Sequence, residues 1–209
     1  MNRLILSVGL LCLLAVQPSQ AATDKGAATA EKTVTEPAST EQLMAGPPQG
    51  WELSYQMNRG STRITDFVPP GESGIDWITK LTFESNKDLV GSDPSKIIQA
   101  DVSDAQKNCD FVQEFNVFSG KENKYPTATR LILCGNKKQL QKGEVSMLKA
   151  IGGKDYFYII SLVKYVPPFK KGKSGFDHKE VAAWSRYLRT IRLCDTASSD
   201  HPCPKPAHH

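Results

Sequence analysis

Four cysteines behind an apolar leader constrain this chain more than any other feature. The opening "MNRLILSVGLLCLLAVQPSQA" carries Arg3, an apolar run over residues 4–16, and Ser19 and Ala21 at the two positions a signal peptidase reads. This is the pattern of a secretory signal peptide over residues 1–21, with a mature chain starting near Ala22. The apolar run is too short to span a bilayer, and no later segment approaches the length needed, so no membrane span is expected in the mature chain. Cys12 follows Gly9-Leu10-Leu11 inside the run, whereas a lipid-modified cysteine closes such a run after small residues. Removing the leader leaves Cys109, Cys134, Cys194 and Cys203. An even set in an oxidising compartment points to two disulfides. Zinc would require clustered ligands such as paired C-x-x-C motifs, and the sequence has none, so no metal or cofactor is expected.

Four cysteines allow three pairings. Cys109 is expected to end a helix, and Cys134 to end a strand that returns past it. Cys194 and Cys203 bracket the short stretch "CDTASSDHPC". Local geometry therefore favours Cys109 with Cys134 and Cys194 with Cys203. Closing the larger loop is worth about 3 kcal/mol, a large share of a marginal domain's stability.

Charge is unevenly spread. The formal net charge is +4, yet residues 22–50 hold two lysines against four acidic residues, no aromatic residue, and many Ala, Thr and Pro. Such a stretch buries too little apolar surface to order itself and reads as a disordered linker. About +5 remains from residue 51 onward, a surplus that keeps a domain soluble but is too small to argue nucleic-acid binding. Residues 196–209 read as a Pro- and His-containing tail. In it His201, Cys203, His208 and His209 resemble a metal-binding set, but one cysteine is already assigned to a disulfide.

Between residues 51 and 195 the patterning alternates between periods of two and 3.6. Runs at 51–57 and 62–68 flank "NRGS", a hairpin turned at Asn58 and Gly60, and Trp77, Thr79, Leu81 and Phe83 mark a third strand. After "GSDP", Ser92 or Asp93 is an N-cap and Pro94 lies in the first turn. Ile98, Val102, Ala105 and Cys109 follow at helical spacing. Runs at 111–118 and 127–134 bracket "SGKENKYP" as a second hairpin, and runs at 144–151 and 156–163 are joined by "GGKD" as a third. A last helix begins at Asp177, with Glu180 as a capping-box variant and Val181, Trp184, Leu188 and Ile191 on one face. Strands in runs rather than in strict alternation with helices predict an α+β domain, with an antiparallel sheet built from hairpins and two amphipathic helices packed on it.

The segments "GWELSYQMNRGSTRITDFVPPGESGIDWITKLTFES" and "KAIGGKDYFYIISLVKY", with Cys109 and Cys134 between them, resemble a group of uncharacterised exported proteins of proteobacteria. That resemblance implies export but no activity. The order of elements is also similar to the sheet-and-helix sandwich of the Mog1 and PsbP class, which implies a role in binding other proteins.

Catalytic motifs fail on inspection. "GKS" at 172–174 lacks the upstream glycine of a phosphate loop, because Pro167 stands there. "HKE" at 178–180 with Pro202 and Cys203 approaches a zinc deaminase signature, but Pro206 occupies the second cysteine position. No G-x-S-x-G or H-E-x-x-H motif occurs. Asp66 and Glu72 are a carboxylate pair beside turns, of the kind usually solvated. Two rigid proline loops remain. "FVPPGES" presents Glu72 and Trp77, and "YVPPFKKGKSG" joins Tyr165 and Phe169 to Lys170, Lys171 and Lys173 in an aromatic and basic loop of the kind interfaces use. The expectation is therefore a periplasmic or secreted, non-catalytic binding or accessory protein of a bacterial envelope. Its partner would be an envelope or secreted protein, an acidic one included, and its binding residues Tyr165, Phe169, Lys170, Lys171 and Lys173. The rival expectation is an envelope hydrolase.

Overall fold

A strand buried on both faces needs apolar residues at successive positions, and residues 145–151, "VSMLKAI", supply them with one hydroxyl and one lysine interposed. They form the heart of a computed structural model that describes residues 39–173 and 175–204, within a compact unit spanning Ala38–His209. The expected signal peptide, residues 22–38 of the expected linker, and His208 and His209 lie outside the described residues.

The elements run β1 (Glu41–Met44), β2 (Glu52–Arg59), β3 (Thr62–Val68), β4 (Thr79–Asn86), α1 (Pro94–Asn108), β5 (Val112–Glu122), β6 (Tyr125–Lys137), β7 (Lys142–Gly152), β8 (Phe157–Val166), α2 (His178–Thr190) and β9 (Arg192–Asp195). Seven strands form one antiparallel sheet in the order β2-β3-β4-β8-β7-β6-β5, while β1 and β9 pair in a separate two-stranded ribbon. This is the expected α+β architecture.

Side chains on β7 alternate between faces, so the two helices share the same strand from opposite sides. Val145, Met147 and Ile151 join Trp184 and Leu188 of α2 in one apolar cluster. Leu148 and Ala150 join Ile98 and Val102 of α1 in another. Burying a side chain such as Leu188, which is 1% exposed, contributes about 2 kcal/mol.

Helix α1 starts where Asp93 caps it, accepting hydrogen bonds from the amides of Ser95 at 2.7 Å and Lys96 at 3.4 Å, with Pro94 inside the first turn. At its other end Cys109 is bonded to Cys134, with Cα atoms 5.6 Å apart, and Cys194 is bonded to Cys203, with Cα atoms 4.8 Å apart. Both pairings are those expected from local geometry. Asp177 caps α2 through the Lys179 amide at 2.8 Å. The expected reciprocal bond from Glu180 is not made, because its carboxylate accepts two hydrogen bonds from Lys164 of β8, at 2.7 and 2.8 Å.

Four expectations need correction. The second hairpin turns at Asn123 and Lys124, both at positive φ, so most of "SGKENKYP" is strand. A two-residue turn of this hand suits the strand twist and tolerates Asn, and the Gly and Pro nearby drew the loop too wide. The first hairpin likewise turns one step later, at Gly60 and Ser61, with Asn58 still paired to Arg63. The stretch expected as linker contains β1: the Glu41 carboxylate accepts the amides of Lys154 at 2.7 Å and Asp155 at 3.1 Å in the β7–β8 turn, and Leu43 packs on the core. A buried carboxylate with two amide donors orders a strand that composition alone reads as coil. Residues 196–204 of the expected tail are also tied down. The Asp195 amide donates to the His201 carbonyl at 2.8 Å, and the His201 ring stacks on Tyr125 with centroids 4.0 Å apart.

Candidate functional site

After β8 the chain crosses the end of the β6–β7 hairpin, and glycines make the crossing possible. The Phe169 amide donates to the Gly135 carbonyl at 2.8 Å, and its ring meets Phe111 edge-on at 5.7 Å. A Cβ on Gly135 would collide with the Phe111 ring, and one on Gly143 would press on the Phe169 ring at 2.8 Å. Phe169 is thus half-buried as an internal anchor.

Beyond this anchor lies a groove of about 400 Å³ on the α2 side of the sheet. Its floor is Phe115 on β5 and Leu131 and Leu133 on β6, and its far wall is Phe169, Phe176 and Val181. Phe115 lies directly opposite Leu131 in the strand register and is 47% exposed. Lys173 lines the rim, and exposed Lys170 and Lys171 stand on the same loop. None of the three lysines forms an ion pair among the described residues. An apolar trough with a basic rim suits an acidic ligand with an apolar anchor.

The five residues expected to form one binding surface do not all meet here. Phe169 and Lys173 line the groove, and Lys170 and Lys171 flank it. Tyr165 projects from the other face of β8. It stacks on Trp77 at 4.6 Å, with the Lys142 ammonium 5.4 Å from its ring centre. Burial, with Glu144 nearby, pushes the Tyr165 hydroxyl pKa up. Strand alternation separates it from Phe169, since Tyr165 is odd-numbered on β8 while Val166, its α2-side neighbour, leads into the loop. The residues the sequence did not point to are Phe115, Leu131, Leu133, Phe176 and Val181. Phe115 alone carried a signal, an aromatic residue at an outward position of a strand otherwise rich in polar side chains.

A second, polar groove of about 250 Å³ lies under α1 on the opposite face. Asp101, Asp104 and Asn108 line it from the helix, with Ser146 and Ser161 below and the Lys137–Glu144 pair, 2.7 Å apart, at one end. Partial desolvation against the groove, with Glu84 and Asp104 adding charge repulsion, raises the Asp101 carboxyl pKa although the residue as a whole is exposed. Asp66 and Glu72 are fully occupied elsewhere. Asp66 takes Lys80 at 3.0 Å and Thr82 at 2.6 Å, while Glu72 accepts the amides of Ile78 and Thr79 at 2.7 and 2.9 Å to close the "FVPPGES" loop. Among the described residues no group of three or more His, Cys, Asp or Glu is placed to hold a metal ion. Among them, too, no helix is long and apolar enough to cross a membrane.

No protein-family model matches this chain. No curated protein matches it either. Among solved structures the chain is similar to the Saccharomyces cerevisiae Ran-binding protein Mog1p, at 16% identity over 75% of this chain and 96% of that one, with a TM-score of 0.42. It is similar also to a point mutant of protein Mog1, at 16% identity over 72% of this chain and 89% of that one, with a TM-score of 0.40. A likeness this distant assigns no family.

Proposed function

We propose that this chain is an exported, non-catalytic binding or accessory module of a bacterial envelope, working in the periplasm or after release through contact with another protein. The observation that carries the reading is the groove beside Phe115, with its apolar floor left open and its rim basic. An exposed aromatic residue of this size beside unpaired lysines has no structural duty that would retain it, and such features are enriched where proteins meet. The two disulfides fit the oxidising compartment that the leader implies. Anchoring of Phe169 and the proline pair before it hold the groove in shape, so little ordering entropy is lost on binding.

A random dodecapeptide library displayed against the disulfide-bonded mature chain tests the reading. The expected yield is peptides that place an aromatic or aliphatic residue near Asp or Glu, with enrichment abolished by Phe115→Asp. No enrichment, or equal enrichment on parent and variant, removes the groove as the site of function.

A further inference from the structure

Strand β5 is the last strand of the seven, so one of its sides faces no further strand. Which of its amides are open follows from one hydrogen bond. The Gly135 amide donates to the Phe111 carbonyl at 3.1 Å, which makes this pair a hydrogen-bonded one. Pairs of that kind recur at every second residue. Gln113 opposite Leu133 and Phe115 opposite Leu131 therefore turn their amides and carbonyls inward, and Val112, Glu114 and Asn116 turn theirs outward.

The open stretch is short because a register shift between Asn116 and Phe118 twists the rest of the strand away. Arg130 fastens that bend on the α1 side, donating to Glu114 at 3.1 Å, Asn116 at 2.6 Å and Ser119 at 3.0 Å. A bulge that twists a strand in this way closes its edge to further pairing, and here it spares residues 112–116. The same five residues border the apolar groove, because Gln113 and Phe115 belong to its floor.

Resting on the groove as the site of binding, we infer that the partner docks by adding an extended segment to the outer edge of β5 over residues 112–116. The segment has apolar residues at alternate positions and acidic residues beside them. Its backbone pairs with Val112, Glu114 and Asn116. Alternate side chains then lie on the α2 side against Phe115, reaching toward Phe176 and Val181. The acidic residues meet Lys170, Lys171 and Lys173, and the excess of unpaired lysines there is the reason for choosing an acidic segment over a second copy of this chain. Main-chain bonds supply affinity in such a mode, and the groove supplies selectivity.

Amide hydrogen exchange on the mature, disulfide-bonded chain, with and without a peptide selected from the dodecapeptide library, decides the matter. Strand addition slows exchange at Val112 and Glu114 by about tenfold or more. Gln113 and Phe115, already bonded to β6, stay as they were. Methylating the peptide's backbone nitrogens at alternate positions weakens binding at least tenfold in one register and not in the other. Glu114→Pro has the same effect as the damaging register, since it removes an outward amide, and the methylated peptides decide the question should that variant fail to fold. Selected peptides that bind through Phe115 yet leave the Val112 and Glu114 amides exchanging freely overturn strand addition and leave the groove reading standing. A library that yields nothing dependent on Phe115 removes both. Protection of Val112 and Glu114 that rises with protein concentration when no peptide is present assigns the edge to self-association and overturns the inference.

Discussion

The two faces of the sheet each carry a lysine engaged with a carboxylate, and the two are held in opposite ways. On the α2 face Lys149 is 1% exposed, and its ammonium donates to Glu122, to the Leu188 carbonyl at 2.8 Å and to the Ile191 carbonyl at 2.7 Å. All three of its protons are used, and it closes the last turn of α2, whose carbonyls have no partner within the helix. Burial pulls its pKa down, and the Glu122 carboxylate opposes that pull. On the α1 face Lys80 reaches Asp66 at 3.0 Å and lies over Trp77 at 4.7 Å, with about a quarter of its side chain in water. The first lysine is part of the packing; the second keeps part of its stem in water above a carboxylate that is itself buried. The contrast is one of surroundings: the end of α2 lies on Lys149, whereas Trp77 lies on Lys80.

The sharpest way to break this comparison is to remove each lysine in turn. Lys149→Ala leaves the half-buried Glu122 carboxylate and the carbonyls of Leu188 and Ile191 without their shared donor and is expected to lower stability by about 3–5 kcal/mol in urea unfolding. Lys80→Met keeps the stem over Trp77 but leaves the buried Asp66 carboxylate with Thr82 as its donor, and is expected to cost about 1–2 kcal/mol. Equal losses would show that the two faces are alike after all.

Next in size is the fastening of the helices. Helix α2 is held by Trp184, Leu188 and Lys149, whereas α1 ends in the bond between Cys109 and Cys134. Replacing both cysteines by serine is expected to lower stability by about 3 kcal/mol and to raise amide exchange in α1 more than in α2. Uniform loosening of both helices would contradict the division of labour. Non-reducing peptide mapping checks the linkage itself.

The smallest effect belongs to the polar groove and depends on pH. The folded-state pKa of Asp101 lies above its unfolded value, so the folded state holds the proton more tightly, and this carboxyl favours folding at low pH. Its contribution is present below the unfolded value, near 4, and turns unfavourable as pH rises through the folded one. Asp101→Asn is therefore expected to raise the thermal midpoint slightly at pH 7 and to leave it unchanged at pH 3. A lowered midpoint at pH 7 would show that the ionised carboxylate has a favourable partner in the groove.

Much of this architecture was legible before any coordinates. The helix at Pro94 was announced by Asp93, the proline and the spacing of Ile98 and Val102, all of them short-range signals. Both disulfides followed from which cysteines local elements bring together. The loop that follows β8 was legible only in part. Lys170, Lys171 and Lys173 are exposed, as a basic loop after a proline pair implies. The sequence sends Phe169 out toward a partner, yet Gly135 and Gly143 let it turn inward, and nothing near it in sequence says so.

What the sequence determined by itself is whatever depends on neighbours along the chain: helix caps, strand alternation, and the cysteines that neighbouring elements bring together. Tertiary structure decided what depends on groups far apart. Glu41 became a buried strand residue only because the turn at Lys154 and Asp155, more than a hundred positions away, offers two amides. Lys149 became an interior group only because α2 ends above it, and Phe115 became the floor of a groove only because Phe176 and Val181 stand across from it. The physical reason is common to all three. Desolvation acts on a side chain through everything that surrounds it, and a linear sequence states a residue's chemistry without stating its surroundings.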